Sequence, residues 1–198
     1  MVTIRPATAA DVPDVAALMA ASFSADDAIT RYFKGLPGIG TAQHESALAK
    51  LFAQQLSIEY LPLGRVDLAY ENSELLGAGC WYPPDAPSPT VRDYFRMFGR
   101  HAPLIMAREC YADMFTPRQP HWYLYTLAVA PAAQGRGVGS ALLSHGLARA
   151  DDADMPCYLE ATTPDSQRLY ERWGFVAQRE IPTPGAQPNE VGMCRNAS

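Results

Sequence analysis

Leu127-Ala128-Val129-Ala130-Pro131-Ala132-Ala133-Gln134-Gly135-Arg136-Gly137-Val138-Gly139-Ser140-Ala141-Leu142-Leu143 is the stretch that decides how this chain folds. It opens in the tail of a strand-like segment, 122–129, dense in Tyr, Leu and Val. Pro131 ends that strand, three glycines follow at alternate positions, and an Ala- and Leu-rich helix is expected over 138–150. Glycines let a backbone approach a ligand closely and turn its N–H groups inward. The start of the helix adds free amides and the positive end of a dipole. The ligand that suits this geometry is a pyrophosphate.

Two commoner nucleotide loops fail on residues. A dinucleotide fingerprint needs G-x-G-x-x-G near the first strand–helix turn of the chain. Here the spacing is G-x-G-x-G, and it falls about two-thirds of the way along. A P-loop needs G-x-x-x-x-G-K-[ST], yet Ser140 follows Gly139 directly with no lysine between them. Three glycines alone do not separate a phosphate loop from a turn without a ligand, so the surrounding sequence must decide.

Downstream, Asp151-Asp152-Ala153-Asp154 makes a polar connection, and 157–162 reads as a strand. Thr163 is a good helix N-cap, Pro164 suits the first helical position, and Gly174 suits the position just past the end. A helix over 164–173 and a further strand over 175–181 follow. Upstream, 2–5 reads as a strand. Thr8 or Asp11 can cap a helix whose Val12, Val15, Leu18 and Met19 recur at helical spacing. A second helical stretch covers 41–58, with Leu48, Leu51, Phe52 and Leu56 on one face. Strands at 65–70 and 75–82 flank a turn at 71–74, a hairpin signal. Residues 88–116 look helical, with Pro103 as a break and no role legible from pattern. Strands alternating with helices place the chain in the α/β class, read as a single domain over 1–198.

Composition bounds the function. The 198 residues are 48% hydrophobic and 19% charged, an ordinary globular balance, and the 17 prolines are scattered through turns. The net charge of -5, the pI near 5.3 and the lack of a basic run speak against nucleic acid as a partner. Cys80, Cys110, Cys157 and Cys194 are far apart, so no metal is expected. Cys80, Cys157 and Cys194 sit in apolar company and read as buried reduced thiols. No stretch approaches the ~20 apolar residues of a membrane span. Few cysteines and a start that runs directly into a strand lead us to expect a cytoplasmic protein.

With its preceding strand and following Leu142-Leu143, the quoted stretch resembles the acetyl-CoA motif of the GNAT superfamily of N-acetyltransferases. The core pattern Gln/Arg-x-x-Gly-x-Gly/Ala is met by Gln134, Gly137 and Gly139. Leu169-Tyr170 followed by Gly174-Phe175 matches the family's later segment. The resemblance covers 121–181 well and the N-terminal half weakly. It implies a GNAT fold: a central mixed, mostly antiparallel sheet of about seven strands flanked by helices, with a splayed parallel strand pair holding the cofactor.

The resemblance also implies roles residue by residue. Leu127, Ala128 and Val129 lie on the strand that would pair with the pantetheine arm, chiefly through the backbone of Leu127 and Val129. Gln134, Gly135, Arg136, Gly137, Val138, Gly139 and Ser140 would hold the pyrophosphate of acetyl-CoA, the cosubstrate. Many members place an asparagine where Thr163 stands, near the pantetheine. If Thr163 caps the helix, its hydroxyl is already occupied. Tyr170 would be the general acid to the departing thiolate. A phenol's ordinary pKa of about 10 is near enough to the ~8.5 of a thiol for that role.

For the general base, the strand before the loop offers His121, Tyr123, Tyr125 and Thr126 but no carboxylate. Glu160 on the next strand is the nearby acid. A catalytic role, direct or through water, and a structural charge at a sheet end are both open to it. Trp81, Tyr123 and Tyr125, with Tyr82 and Trp173, are aromatic candidates for the acceptor pocket. Similarity of 158–175 to the puromycin-type branch points to a small-molecule amine as acceptor. A protein N-terminus or lysine, and a non-catalytic acyl-CoA-binding module, are the competing readings. Dimers are frequent in the family, so a homodimer is left open.

Overall fold

Asn72 and Ser73 have φ of 49° and 67°, both left-handed, as the tight mirror-image turn of a hairpin requires. They join β2 (Arg65–Glu71) to β3 (Glu74–Tyr82), the strand pair expected at this place. This computed structural model describes residues 2–182 and 189–197. In chain order the elements are β1 (Thr3–Pro6), α1 (Val12–Phe23), α2 (Asp27–Tyr32), α3 (His44–Gln55) and a wider π turn (Leu56–Tyr60). The short α4 (Leu61–Leu63), the hairpin, α5 (Val91–Phe98) and α6 (Ala102–Asp113) come next. The chain continues with β4 (Trp122–Val129), α7 (Val138–Asp152), β5 (Cys157–Ala161), α8 (Pro164–Glu171), β6 (Val176–Ile181) and β7 (Glu190–Arg195).

The seven strands form one sheet in the order β1-β2-β3-β4-β5-β7-β6. Every pairing is antiparallel except β4 with β5. α1, α3, α5 and α6 cover one face, packing Val15, Met19, Leu48, Phe52 and Ile105 against Leu68, Ala78 and Cys80. α7 and α8 cover the other, with Leu143, Leu147 and Tyr170 against Trp81, Leu124 and Leu159. Pro103 does break the 88–116 segment, because it stands in the first turn of α6, where its missing N–H costs nothing.

Two features position the site. The parallel ladder of β4 and β5 covers only Trp122–Leu124 against Cys157–Leu159, after which the strands part. On its other edge β4 pairs Leu124 with Trp81 and Thr126 with Cys80, so Tyr125 is an extra, bulged residue. A bulge bends a strand and re-aims its side chains, and this one lies where β4 leaves β5. The second feature is the anchoring of α7. Arg149 grips the buried Asp67 of β2 through two bonds of 3.1 and 2.6 Å, and Arg195 of β7 grips Asp151 at 2.7 and 3.0 Å. Both clamps hold the C-terminal half of the helix, so its N-terminus is fixed at the mouth of the parted strands.

Candidate active site

Between the parted strands lies a cleft of about 600 Å³, walled by β4, the glycine loop, α8 and the end of α1. The loop is built as the sequence demands. Gly135 and Gly137 have φ of 74° and 83°, which L side chains rarely adopt, and a Cβ at either would project into open space. Gly137 is itself the N-cap of α7; no side chain caps the helix and no acidic residue stands in its first turn. A long helix with an uncapped, uncontested N-terminus facing a cleft favours an anion there. The Gln134 side-chain amide donates to the Val129 carbonyl at 3.4 Å, tying the loop to the end of β4.

Gln134, Gly135, Gly137, Val138, Gly139 and Ser140 line the cleft, as do Leu127 and Val129. Two expected neighbours contribute backbone at most. The Arg136 guanidinium is drawn away to Glu71 of the hairpin at 2.6 Å. Ala128 is fully buried and faces the α1 side of the sheet. The Val129 N–H already donates to Ser22 Oγ at 3.3 Å, so a ligand arm bonding there would displace that hydroxyl. Thr163 lines the cleft, yet its hydroxyl accepts from the Ser166 N–H at 3.1 Å as the cap of α8. The cap and the ligand contact compete for one oxygen, and here the cap has it.

Tyr170 lines the same cleft from α8, with its ring edge-on to Phe175 at 6.0 Å. It is 8% exposed, and burial pushes its phenol up to about 12. The phenol therefore stays protonated at neutral pH.

Glu160 faces the cleft from β5 and accepts from the Tyr158 hydroxyl at 3.0 Å. Burial pushes its carboxyl up to about 7 and the nearby Glu190 charge adds to the rise, while bonds from Tyr158 and Tyr123 oppose it. Glu160 belongs to a row of pairs. The Tyr125 hydroxyl donates to Glu109 at 3.0 Å and the Tyr82 hydroxyl to Glu59 at 2.7 Å. Burial holds Glu109 and Glu59 near 7 as well. Tyr125 reaches the cleft, and Tyr123 packs behind it at 5.5 Å from Tyr125 and 5.3 Å from Tyr158.

Trp81 corrects an expectation. It is 1% exposed and points to the α7 face of the sheet, away from Tyr82 and Tyr125, where its indole fills the space left by Gly146 of α7. It belongs to the core and not to an acceptor pocket. Cys80 and Cys157 are buried free thiols as read, whereas Cys194 is half-buried and Cys110 exposed. Among the described residues no group of three or more His, Cys, Asp or Glu could hold a metal, and no helix is long and apolar enough to cross a membrane.

A second cavity of about 610 Å³ lies between α2, α6 and the β5-β7-β6 end of the sheet, and Glu160 is in the wall of both. The Tyr111 hydroxyl donates to the Pro182 carbonyl at 2.7 Å, a strut from α6 to the end of β6. Sequence reasoning missed Glu109, Tyr158 and this cavity. Glu109 lies in 88–116, a helical stretch in which no pattern points to β4 or β5, and Tyr158 lies in a strand that was read correctly but whose side-chain pairing shows only in the fold.

A family model described as the Acetyltransferase (GNAT) family matches residues 41–175. A Corynebacterium glutamicum structure described as histone acetyltransferase HPA2 and related acetyltransferase is 35% identical, with a TM-score of 0.79 over 100% of this chain and 97% of that one. A Brucella melitensis GNAT family acetyltransferase solved with acetyl-CoA superposes with a TM-score of 0.56 at 17% identity, over 100% of this chain and 89% of that one. An uncharacterized N-acetyltransferase of Schizosaccharomyces pombe is 31% identical over 87 residues, 43% of this chain and 34% of its own length. The match therefore spans about a third of that curated relative.

Proposed function

The chain belongs to the GNAT acetyltransferase family, and from that premise we propose that it moves the acetyl group of acetyl-CoA to a primary amine of a small molecule. The observation that carries this reading is that Glu160 stands in the wall of two cavities at once. One has the features of a donor site: an uncapped helix N-terminus, two left-handed glycines and a buried tyrosine. The other is a separate space in which an acceptor can reach the same carboxylate. Acetyl-CoA, when bound, supplies a thioester; the residues present fit it through the loop amides and the exposed edge of β4.

The roles of the side chains follow from their protonation. With its pKa near 7, Glu160 is part deprotonated at neutral pH and can take a proton from an ammonium acceptor, directly or through water. The freed amine attacks the thioester carbonyl, the C–N bond forms, the C–S bond breaks, and the proton shed by the acetylated nitrogen ends on the departing sulfur as the free thiol. Tyr170 donates to the departing sulfur. With a phenol near 12 it is a poorer acid than a thiol, so its main contribution is a hydrogen bond that stabilises the thiolate. The strut from Tyr111 to Pro182 across the second cavity favours a small acceptor over a peptide chain. Thiol release from acetyl-CoA, measured across a panel of amines and peptides, tests the reading. Turnover with small amines supports it, turnover with peptides alone replaces the acceptor class, and tight CoA binding without any turnover removes the catalytic assignment.

A further inference from the structure

The walls of the second cavity carry opposite charges. Glu160 and Glu190 stand on the sheet side, and Arg31 and Lys34 come from α2 and the turn after it. Arg108 of α6 fixes the basic wall, because its guanidinium donates to the backbone carbonyls of Tyr32 and Lys34. That clamp holds the end of α2 in place and adds a third positive charge. Arg31 Nε and the Tyr32 hydroxyl are packed inside this wall and have almost no accessible surface, so the charged ends of Arg31 and Lys34 are what the wall can offer a ligand.

We propose that the acceptor is an amine that also carries an anionic oxygen group, such as a carboxylate, and that this group docks on Arg31 and Lys34 while the amine faces Glu160. The inference rests on the acetyl-transfer reading above and narrows its substrate class. A plain alkylamine satisfies only the acidic wall. A diamine brings a second cation against Arg31, Lys34 and Arg108, where like charges repel. An amine with an acidic group at its far end satisfies both walls.

The test compares butylamine, 1,4-diaminobutane, 4-aminobutanoate and 3-aminopropylphosphonate by kcat/KM for thiol release from acetyl-CoA. The anionic amines are expected to exceed butylamine by about tenfold or more, through KM, as a charge-assisted hydrogen bond implies. Arg31→Met, which keeps the volume, and Lys34→Gln on the exposed side of the wall should each bring that ratio toward unity. A wild-type preference for the plain amine or the diamine overturns the proposal, and so does a ratio unchanged in both variants. If no amine is turned over, the transfer reading fails by itself. Calorimetry on CoA-saturated protein then tests the cavity directly: binding of 4-aminobutanoate but not butylamine supports the site, and no difference between them overturns it.

Discussion

The Tyr158 hydroxyl donates to Glu160 Oε1 at 3.0 Å along one face of β5. Gly192 of β7 lies opposite, and a Cβ there would come within 2.9 Å of that hydroxyl. The pair thus depends on a glycine in a neighbouring strand.

The bond from Tyr158 favours the charged carboxylate, so removing it raises the pKa of Glu160 further. If Glu160 is the base, the acidic limb of the kcat/KM profile lies near pH 7, where the carboxyl titrates. Tyr158→Phe should move that limb upward by about one pH unit, since hydrogen bonds to charged groups are the stronger class. Gly192→Ala should move it in the same direction. Glu160→Gln should abolish the limb. A profile unaltered in all three variants excludes Glu160 as the base.

Tyr170→Phe removes a donor that stays protonated throughout the assay range. kcat should fall by about tenfold to hundredfold, while KM for acetyl-CoA changes by less than about twofold, as for the loss of an interaction made mainly in the transition state. Steady-state kinetics at saturating acceptor checks this. An unchanged kcat leaves Tyr170 as a packing residue against Phe175.

The raised carboxyls also set a stability profile. Glu59, Glu109 and Glu160 have ordinary values of 4.5 and folded values near 7, so between those limits the folded chain binds more protons than the unfolded one. Stability from these groups is fully present below about pH 4.5 and is lost as pH rises through about 7. Asp11, which Arg5 holds well below the usual carboxylate range, acts only in stronger acid. Thermal unfolding should therefore occur at lower temperature at about pH 8 than at about pH 5, and Glu109→Gln should flatten the decline by about 1–2 kcal/mol. A midpoint that holds steady or rises over this interval contradicts the assignment.

Gly146→Ala tests the placement of Trp81. The added Cβ would lie 2.2 Å from the indole ring, and both groups are locked in the core between α7 and β3. The cost should be about 3 kcal/mol, at the upper end for overpacking. Denaturant unfolding would read it directly, and a loss below about 1 kcal/mol would mean that the ring has room to move.

Much of this arrangement was legible because the signals are local. The loop, its left-handed glycines, the cap at Thr163, Pro164 and the left-handed Gly174 all act within a few residues of one another. β4 was read at its actual bounds, since Pro131 and the aromatic run mark both ends. Other parts depend on contacts that chain order conceals. β7 inserts between β5 and β6, although it follows both in sequence and carries Gly192 and charged ends. α2 is six residues long, too short for a periodic pattern. The face Trp81 occupies is set by strand pairing, and the bulge at Tyr125 shows in the register of β3 and β4 rather than in composition. Glu109 and Tyr125 meet only because α6 folds beneath β4.

Everything proposed for this chain depends on the loop at the head of α7 holding the diphosphate of acetyl-CoA. Calorimetric titration of acetyl-CoA into the wild-type protein and Gly137→Asp tests it most directly, because a side chain at φ 83° would project into the open cleft with a negative charge. Measurable binding to the wild type and a loss of about a hundredfold or more in the variant are expected, from steric block and repulsion at the helix N-terminus. Equal affinity in the two proteins would contradict it.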